Sequence, residues 1–324
     1  MHRGPIVLFT LLVLGPWAPA LALGGDVRIQ DHPDDVGQEP HALTPLWSSP
    51  AIKVCPSALS CPQSTRPVSG TGSYVFVTLR NDGPGVFPPQ AATGALHLYT
   101  APAGGSLKWG QLQGDWVALG SVQGLQLAPG EVREVSVPWQ GLPPPGQYSL
   151  LARWVSSGDP MRFPEEEGSL TAANARNNNN IAWRSVTVLG ALPGQASTAQ
   201  FVLRQVSGPE VAVVFHPAEG SRGFPGRIVV DLGPWFEPWR AAGASGWGIL
   251  DQVGDTAVAI SPEGAGLEGL PLAPGSGEAV IGLSFLREER AEEGAYPFRA
   301  LQYTPEYGDV GGTEYQLHVL PLSP

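Results

Sequence analysis

The sequence predicts an all-β protein of two consecutive immunoglobulin-like sandwiches, and three observations carry the prediction. Runs of five to nine residues rich in β-branched and aromatic side chains recur along the whole chain, each bounded by Gly, Pro, Ser or Asn. The 324 residues hold 42 Gly and 34 Pro, interleaved with those runs rather than gathered into one tract, as many short strands joined by tight turns require. The run pattern also stops at Gly190-Ala-Leu-Pro-Gly194 and begins again.

In the first half the clearest strand is Tyr74–Arg80, where Val75, Val77 and Leu79 alternate with Tyr74, Phe76 and Thr78 before an Asn81-Asp-Gly83 turn. Further strands are expected at Ala95–Ala101, Trp116–Gly120, Glu131–Trp139, Gln147–Val155 and Ile181–Leu189, enough for one sandwich. The second half repeats the pattern at Ala199–Val206, Val211–His216, Gly226–Leu232, Thr256–Ile260, Glu278–Leu286, Pro297–Thr304 and Thr313–Leu320. A single short helix is expected at Pro234–Ala242, limited by Pro238 and stopped at Gly243. These signals divide the chain into a signal peptide over 1–22, a first sandwich over 23–190, a linker over 191–197 and a second sandwich over 198–324. The two sandwiches are expected to fold separately.

A weak internal repeat relates the halves. Leu127-Ala-Pro-Gly130 leads into a strand and is followed by Gly146-Gln-Tyr148; Leu272-Ala-Pro-Gly275 does the same ahead of Gly294-Ala-Tyr296. Pro-Gly turns the chain into one strand, and the tyrosine opening the next is placed to bond back across the sandwich corner.

The basic start (His2, Arg3), the apolar run Ile6–Leu14 and the small residues Ala20 and Ala22 read as a secretory signal peptide. No later stretch is apolar for long enough to span a bilayer, no cysteine stands at the expected cleavage point, and Leu320–Pro324 does not read as an anchor. A secreted or cell-surface location follows. There a pair such as Cys55 and Cys61 reads as a local disulfide rather than as a metal site or a thioredoxin-type redox pair. The formal net charge is −11, and Lys53 and Lys108 are the only lysines. Such a surface repels phosphate backbones, so nucleic acid is not an expected partner.

Two further segments carry a family likeness. Asp159-Pro-Met-Arg-Phe-Pro164, with Asn174-Ala-Arg-Asn-Asn-Asn-Asn-Ile-Ala-Trp-Arg-Ser-Val-Thr-Val188, resembles the closing strand of a module found in uncharacterised secreted bacterial proteins. Gln30-Asp-His-Pro-Asp-Asp35 and Leu46-Trp-Ser-Ser-Pro50 resemble its opening. The Asn-Asp-Gly turn and the Leu-Ala-Pro-Gly lead-in are more distantly similar to the bacterial cell-adhesion-related Ig-like domains called CARDB. The resemblance covers roughly residues 26–190 and implies an Ig-like sandwich in an extracytoplasmic setting, with no defined ligand.

The chemistry-bearing residues do not assemble into a known motif. No Gly-x-Ser-x-Gly occurs, and His32, His41, His97, His216 and His318 are scattered without zinc-ligand spacing. No catalytic residue and no cofactor is assigned. Asp31, Asp34, Asp35 and Glu39 supply oxygens of the kind calcium prefers, and Asn177–Asn180 supply amide carbonyls; alternatively, the asparagines cap a turn before the strand at Ile181. Aromatic platforms for a sugar are conceivable at Trp109 with Trp116 and at Trp235 with Trp239, set against a core role. Trp154 and Trp183 belong to strands and to a core. Trp109 and Trp116 are the candidate ligand contacts. The expected function is a non-catalytic binding or adhesion module at the bacterial cell surface, its partner a surface protein or glycan. The alternatives are an accessory subunit of a larger secreted complex or a carbohydrate-binding accessory protein.

Overall fold

The computed structural model describes residues 25–84, 94–105, 107–110, 114–165, 168, 170–188, 197–205, 210–272, 278–288, 292–306 and 308–319. The expected signal peptide, most of the linker and the Leu272-Ala-Pro-Gly275 turn beyond Leu272 lie outside them.

The first sandwich contains β1 (Val27–Arg28), β2 (Ile52–Cys55), β3 (Ser73–Asn81), β4 (Gly94–Pro102), β5 (Val117–Leu125), β6 (Val132–Trp139), β7 (Gly146–Val155), the helix α1 (Thr171–Asn177) and β8 (Ile181–Val188). In one sheet, β1 and β2 pair with one edge of β3, whose other edge pairs with β6. The facing sheet runs β5-β4-β7-β8, and all these pairs are antiparallel. Alternation does what it predicts: Val75, Val77 and Leu79 meet Leu96, Leu98, Leu150 and Trp154 in the closed core between the sheets. Cys55 and Cys61 form a disulfide beside β2, with Cα atoms 5.7 Å apart.

The second sandwich contains β9 (Ser197–Arg204), β10 (Glu210–Pro217), β11 (Gly226–Asp231), the helix α2 (Phe236–Ala241), β12 (Gly246–Trp247), β13 (Ile249–Val253), β14 (Ala257–Ile260), β15 (Ala265–Pro271), β16 (Glu278–Arg287), β17 (Gly294–Thr304) and β18 (Gly308–Val319). Its sheets run β12-β15-β10-β17-β18 and β13-β14-β11-β16-β9. Phe201, Phe215, Phe285, Phe298 and Tyr315 fill the space between them. The protein is therefore two consecutive Ig-like sandwiches, each with its own core.

Both halves close the same corner with the same tyrosine. Tyr148 Oη donates to the Pro144 carbonyl at 3.0 Å, and Tyr296 Oη donates to the Glu292 carbonyl at 2.9 Å, each four residues back. In both cases the ring lies over the glycine two residues earlier, and a Cβ there would stand in ordinary contact with it, at 3.4 Å for Gly146 and 3.6 Å for Gly294. The Gly-x-Tyr repeat is thus a repeated structural device.

A third apolar cluster lies outside both sandwich cores. The chain after β4 and the helix α1 cover the outer face of β7 and β8, where Leu107, Trp109, Trp116, Ala172 and Ala175 pack on Leu151, Ile181 and Trp183. Leu301 of β17 packs against the same cluster. The sandwiches also meet through polar contacts: a parallel bridge between Gly104 and Val202, and bonds from Arg176 to the Asp309 carbonyl (2.8 Å) and from Ser185 to the Gly312 carbonyl (3.0 Å).

Candidate functional site

The expectation that Trp109 and Trp116 form an exposed contact is corrected by their burial, 7% and 8% exposed. Trp109 stands edge-on to Tyr99 with centroids 5.3 Å apart, and the Arg153 guanidinium lies 5.4 Å above its ring. Trp116 Nε1 donates to Thr171 Oγ1 at 2.8 Å. Both indoles serve to seal α1 and the preceding loop onto the sheet, because that face of β7 and β8 carries apolar side chains needing cover. Trp239 is a packing residue too, 3% exposed with Nε1 bonded to the Glu268 carbonyl at 2.9 Å, so α2 is pinned to β15.

The asparagine run holds the N-terminal strand to the end of α1. Asn178 Oδ1 accepts from the Phe163 amide (3.0 Å), Asn179 Nδ2 donates to Asp26 (2.9 Å), and Asn180 Nδ2 donates to the Val27 carbonyl (2.8 Å) and to Asp159 Oδ2 (3.0 Å). Glu39 accepts from the Asn179 amide at 2.8 Å, and Asp35 Oδ1 accepts from the Gly37 amide at 2.7 Å. His41 Nδ1 accepts from the Leu43 amide (3.2 Å), leaving Nε2–H to face Asp31 Oδ2 at 3.0 Å. Among the described residues no group of three or more His, Cys, Asp or Glu is arranged to hold a metal ion. Asp31, Asp35, Glu39, Asn178, Asn179 and Asn180 are engaged by protein groups instead, and the exposed Asp34 lies beside His32 at 3.8 Å. Replacing Asn179 and Asn180 together by alanine is expected to lower stability by about 1 to 3 kcal/mol per orphaned buried group. Urea unfolding measures this, and a loss under 0.5 kcal/mol, on the order of an ordinary surface change, contradicts it.

What the fold does bring together lies between the sandwiches. A cleft of about 720 Å³ opens between β2 and β8 on one side and β18 on the other, lined by Trp47, Lys53, Arg66, Arg184, Glu314 and Gln316, with Gln63, Ser64, Thr65 and Thr187 completing a hydrogen-bonding wall. Lys53 reaches Glu134 at 2.6 Å, and Arg184 donates to the Ser49 (3.2 Å) and Ile52 (3.0 Å) carbonyls. Burial pulls the Arg184 and Arg66 guanidinium groups below their ordinary values. Trp47 is 2% exposed, and its ring lies against Gly312 of β18. The cleft is invisible in the sequence because its walls lie over 100 residues apart and no motif links them. Trp247 also escaped notice: a tryptophan between two glycines offers no periodicity, yet it is 49% exposed.

Comparison with known proteins leaves the family open. No family model matches the sequence, and no curated protein matches it. Solved structures do match in part. A CARDB domain from Pyrococcus furiosus, solved in complex with di-metal ions, is 14% identical over 51% of this chain and 90% of its own, with a TM-score of 0.27. A β-glucosidase from Listeria innocua, in complex with gluconolactone, is 12% identical over 42% of this chain, which spans 16% of the enzyme, with a TM-score of 0.22. The collagen adhesin of S. aureus is 9% identical over 82% of this chain and 91% of its own, with a TM-score of 0.20. At these TM-scores none of the three defines a ligand, an activity or a residue correspondence for this chain.

Proposed function

We propose that this chain is a non-catalytic binding module exported to the bacterial cell surface, with a CARDB-like sandwich over 23–190 and a second over 198–324, and that it takes its ligand in the cleft between them. The carrying observation is the make-up of that cleft. It draws Lys53, Arg66 and Arg184 from one sandwich and Glu314 and Gln316 from the other, so a ligand there touches both. Its polar groups are already oriented by protein partners, as Arg184 is by two carbonyls. A pre-oriented polar wall recognises a ligand without first ordering its own side chains.

The test uses the full exported chain and its own cell envelope. The wild type is expected to be retained on the envelope. A Lys53→Ala, Gln316→Ala double variant is expected to lose at least about tenfold in affinity, about 1.4 kcal/mol, while its melting temperature stays within a few degrees. Full retention by the double variant, or turnover of an envelope component by the wild type, overturns the proposal.

A further inference from the structure

The outer face of the second sandwich continues the cleft. In an antiparallel sheet, directly paired residues point to one side, so Trp247, Gly266, Val214, Leu301 and Gly312 form one row across all five strands from β12 to β18, whose far end, Leu301 and Gly312, is covered by the first sandwich. Their neighbours Val213, Phe215 and Leu267 point the other way and are fully buried, which places this row on the outside. A second row carries His216, Arg299 and Glu314, with Arg299 Nε 3.0 Å from Glu314 Oε2. Glu314 also lines the cleft. At about 4.8 Å per strand, the four steps from Trp247 to β18 span about 19 Å.

Trp247 is shaped as a platform. Its indole lies across Gly264 and Gly266, where a Cβ on either glycine would press into the ring. Gly248, at φ 67°, turns the chain immediately afterwards towards β13 in the facing sheet, which leaves β12 as the edge strand of its own sheet. The indole is therefore supported from below and open on its other side, at 49% exposure. Beside Gly264 stands His216, which follows Phe215, the partner of Ala265. Its Nδ1 lies 2.7 Å from the Pro217 carbonyl, so Nδ1 carries the proton and Nε2 is left as an acceptor.

Resting on the binding reading of the cleft, we infer that the ligand is a polysaccharide chain, one of whose rings stacks on Trp247 while the chain crosses β10 and β17 along the row of His216, Arg299 and Glu314 into the cleft. A pyranose offers a flat C–H face to an indole and hydroxyl groups at its rim. The rim here meets a histidine acceptor and the Arg299–Glu314 pair, and the far end meets Gln63, Thr65, Thr187 and Gln316. An apolar protein surface laid on the same face would desolvate the Arg299–Glu314 pair without replacing its hydrogen bonds.

The probes are cellohexaose, chitohexaose and xylohexaose, titrated by calorimetry into the full chain, with decaproline as a peptide control. At least one hexasaccharide is expected to bind. Trp247→Ala is expected to weaken it by about tenfold or more, and Trp247→Phe by no more than about threefold, because the phenyl ring keeps a stacking face. Should the alanine variant fail to fold, Trp247→Leu, which keeps apolar bulk without an aromatic face, is expected to show the same loss. Unchanged binding in the folded alanine or leucine variant overturns the inference, as does binding of decaproline in place of every sugar. If no hexasaccharide binds while envelope retention stays sensitive to Lys53→Ala with Gln316→Ala, the polysaccharide assignment fails and the binding module stands. If retention is also insensitive to that variant, both fail.

Discussion

The protein is expected to be more stable near pH 5 than near pH 8, because two carboxylic acids are folded into places that favour their neutral forms. Burial lifts Asp159 to about 6, with the charges of Asp26 and Glu39 adding to the rise against hydrogen bonds from the Val27 amide and Asn180. Burial likewise lifts Asp309 to about 7, against the pull of the Gly311 amide, Arg176 and Arg299. In the unfolded chain both acids release their protons near pH 3.9. Between that value and the folded ones the native state holds more protons, so stability falls as pH rises and levels off above pH 7 or so. At about 1.4 kcal/mol per unit, Asp159 accounts for about 3 kcal/mol and Asp309 for about 4 kcal/mol at most. His41, raised chiefly by its hydrogen bond to Asp31, contributes with the same sign through neutral pH. Urea unfolding at pH 5, 6, 7 and 8 measures the trend. Asp159→Asn keeps an oxygen for the Val27 amide and Asn180, so it is expected to be more stable than wild type by about 1 to 3 kcal/mol at pH 8 and to flatten the lower part of the curve. Stability that rises from pH 5 to pH 8, or an asparagine variant weaker than wild type at pH 8, contradicts the assignment.

The strands that were legible in the sequence are those with a clear inside and outside. β3 carries alternating valines and leucine, and β4 and β7 carry runs of branched and aromatic residues between turn residues, so their pattern survives without knowledge of their partners. β15 is hidden in the sequence because Ala-Gly-Leu-Glu-Gly-Leu-Pro reads as turn residues; Gly266 is there to admit the Trp247 ring and to let β12 approach closely. β1 and β12 are two residues each, too short for any period to show. Helix α1 was hidden by the asparagines at its end, although Ala172, Ala173 and Ala175 with Arg176 in the last turn are ordinary helix signals. The tyrosine corners were readable because they depend on a local Gly-x-Tyr. The candidate site was not, since it is made of strand register and of the docking of one sandwich on the other. Burial of Trp109 follows the same logic, as only the assembled sheet shows that its outer face needs a cover.

Separating the sandwiches is expected to have the larger structural effect, and the junction names the residues to change. Gly104 and Gly105 lie along β9 as a parallel extension of its sheet, with the Gly105 amide donating to the Val202 carbonyl at 2.9 Å. A Cβ at Gly105 would overlap Gln302, which is fully buried and bonded through its amide to the Arg204 backbone. Arg204, 4% exposed, reaches Glu278 at 2.9 Å, Asp115 at 3.7 Å and the Gly105 carbonyl at 3.3 Å, so its charge is matched from both sandwiches at once. At the other end of the junction a Cβ on Gly312 would overlap the Trp47 ring. Gly105→Val with Gly312→Val therefore removes both close approaches; at Gly105 the added bulk meets the partner sandwich, and at Gly312 it meets the Trp47 ring and also the Ala300 carbonyl of the neighbouring strand β17, so Gly105→Val alone is the control for strain within the second sandwich. Leaving Arg204 with part of its partners gone costs about 3 kcal/mol or more. The double variant is expected to show a larger radius of gyration by small-angle scattering, faster proteolysis between residues 189 and 196, and two calorimetric transitions. With the junction lost, the cleft is lost, so envelope retention is expected to fall as much as is expected for Lys53→Ala with Gln316→Ala. An unchanged radius with a single transition would show that the junction does not depend on these glycines, and full retention by a separated variant would place the ligand on one sandwich alone.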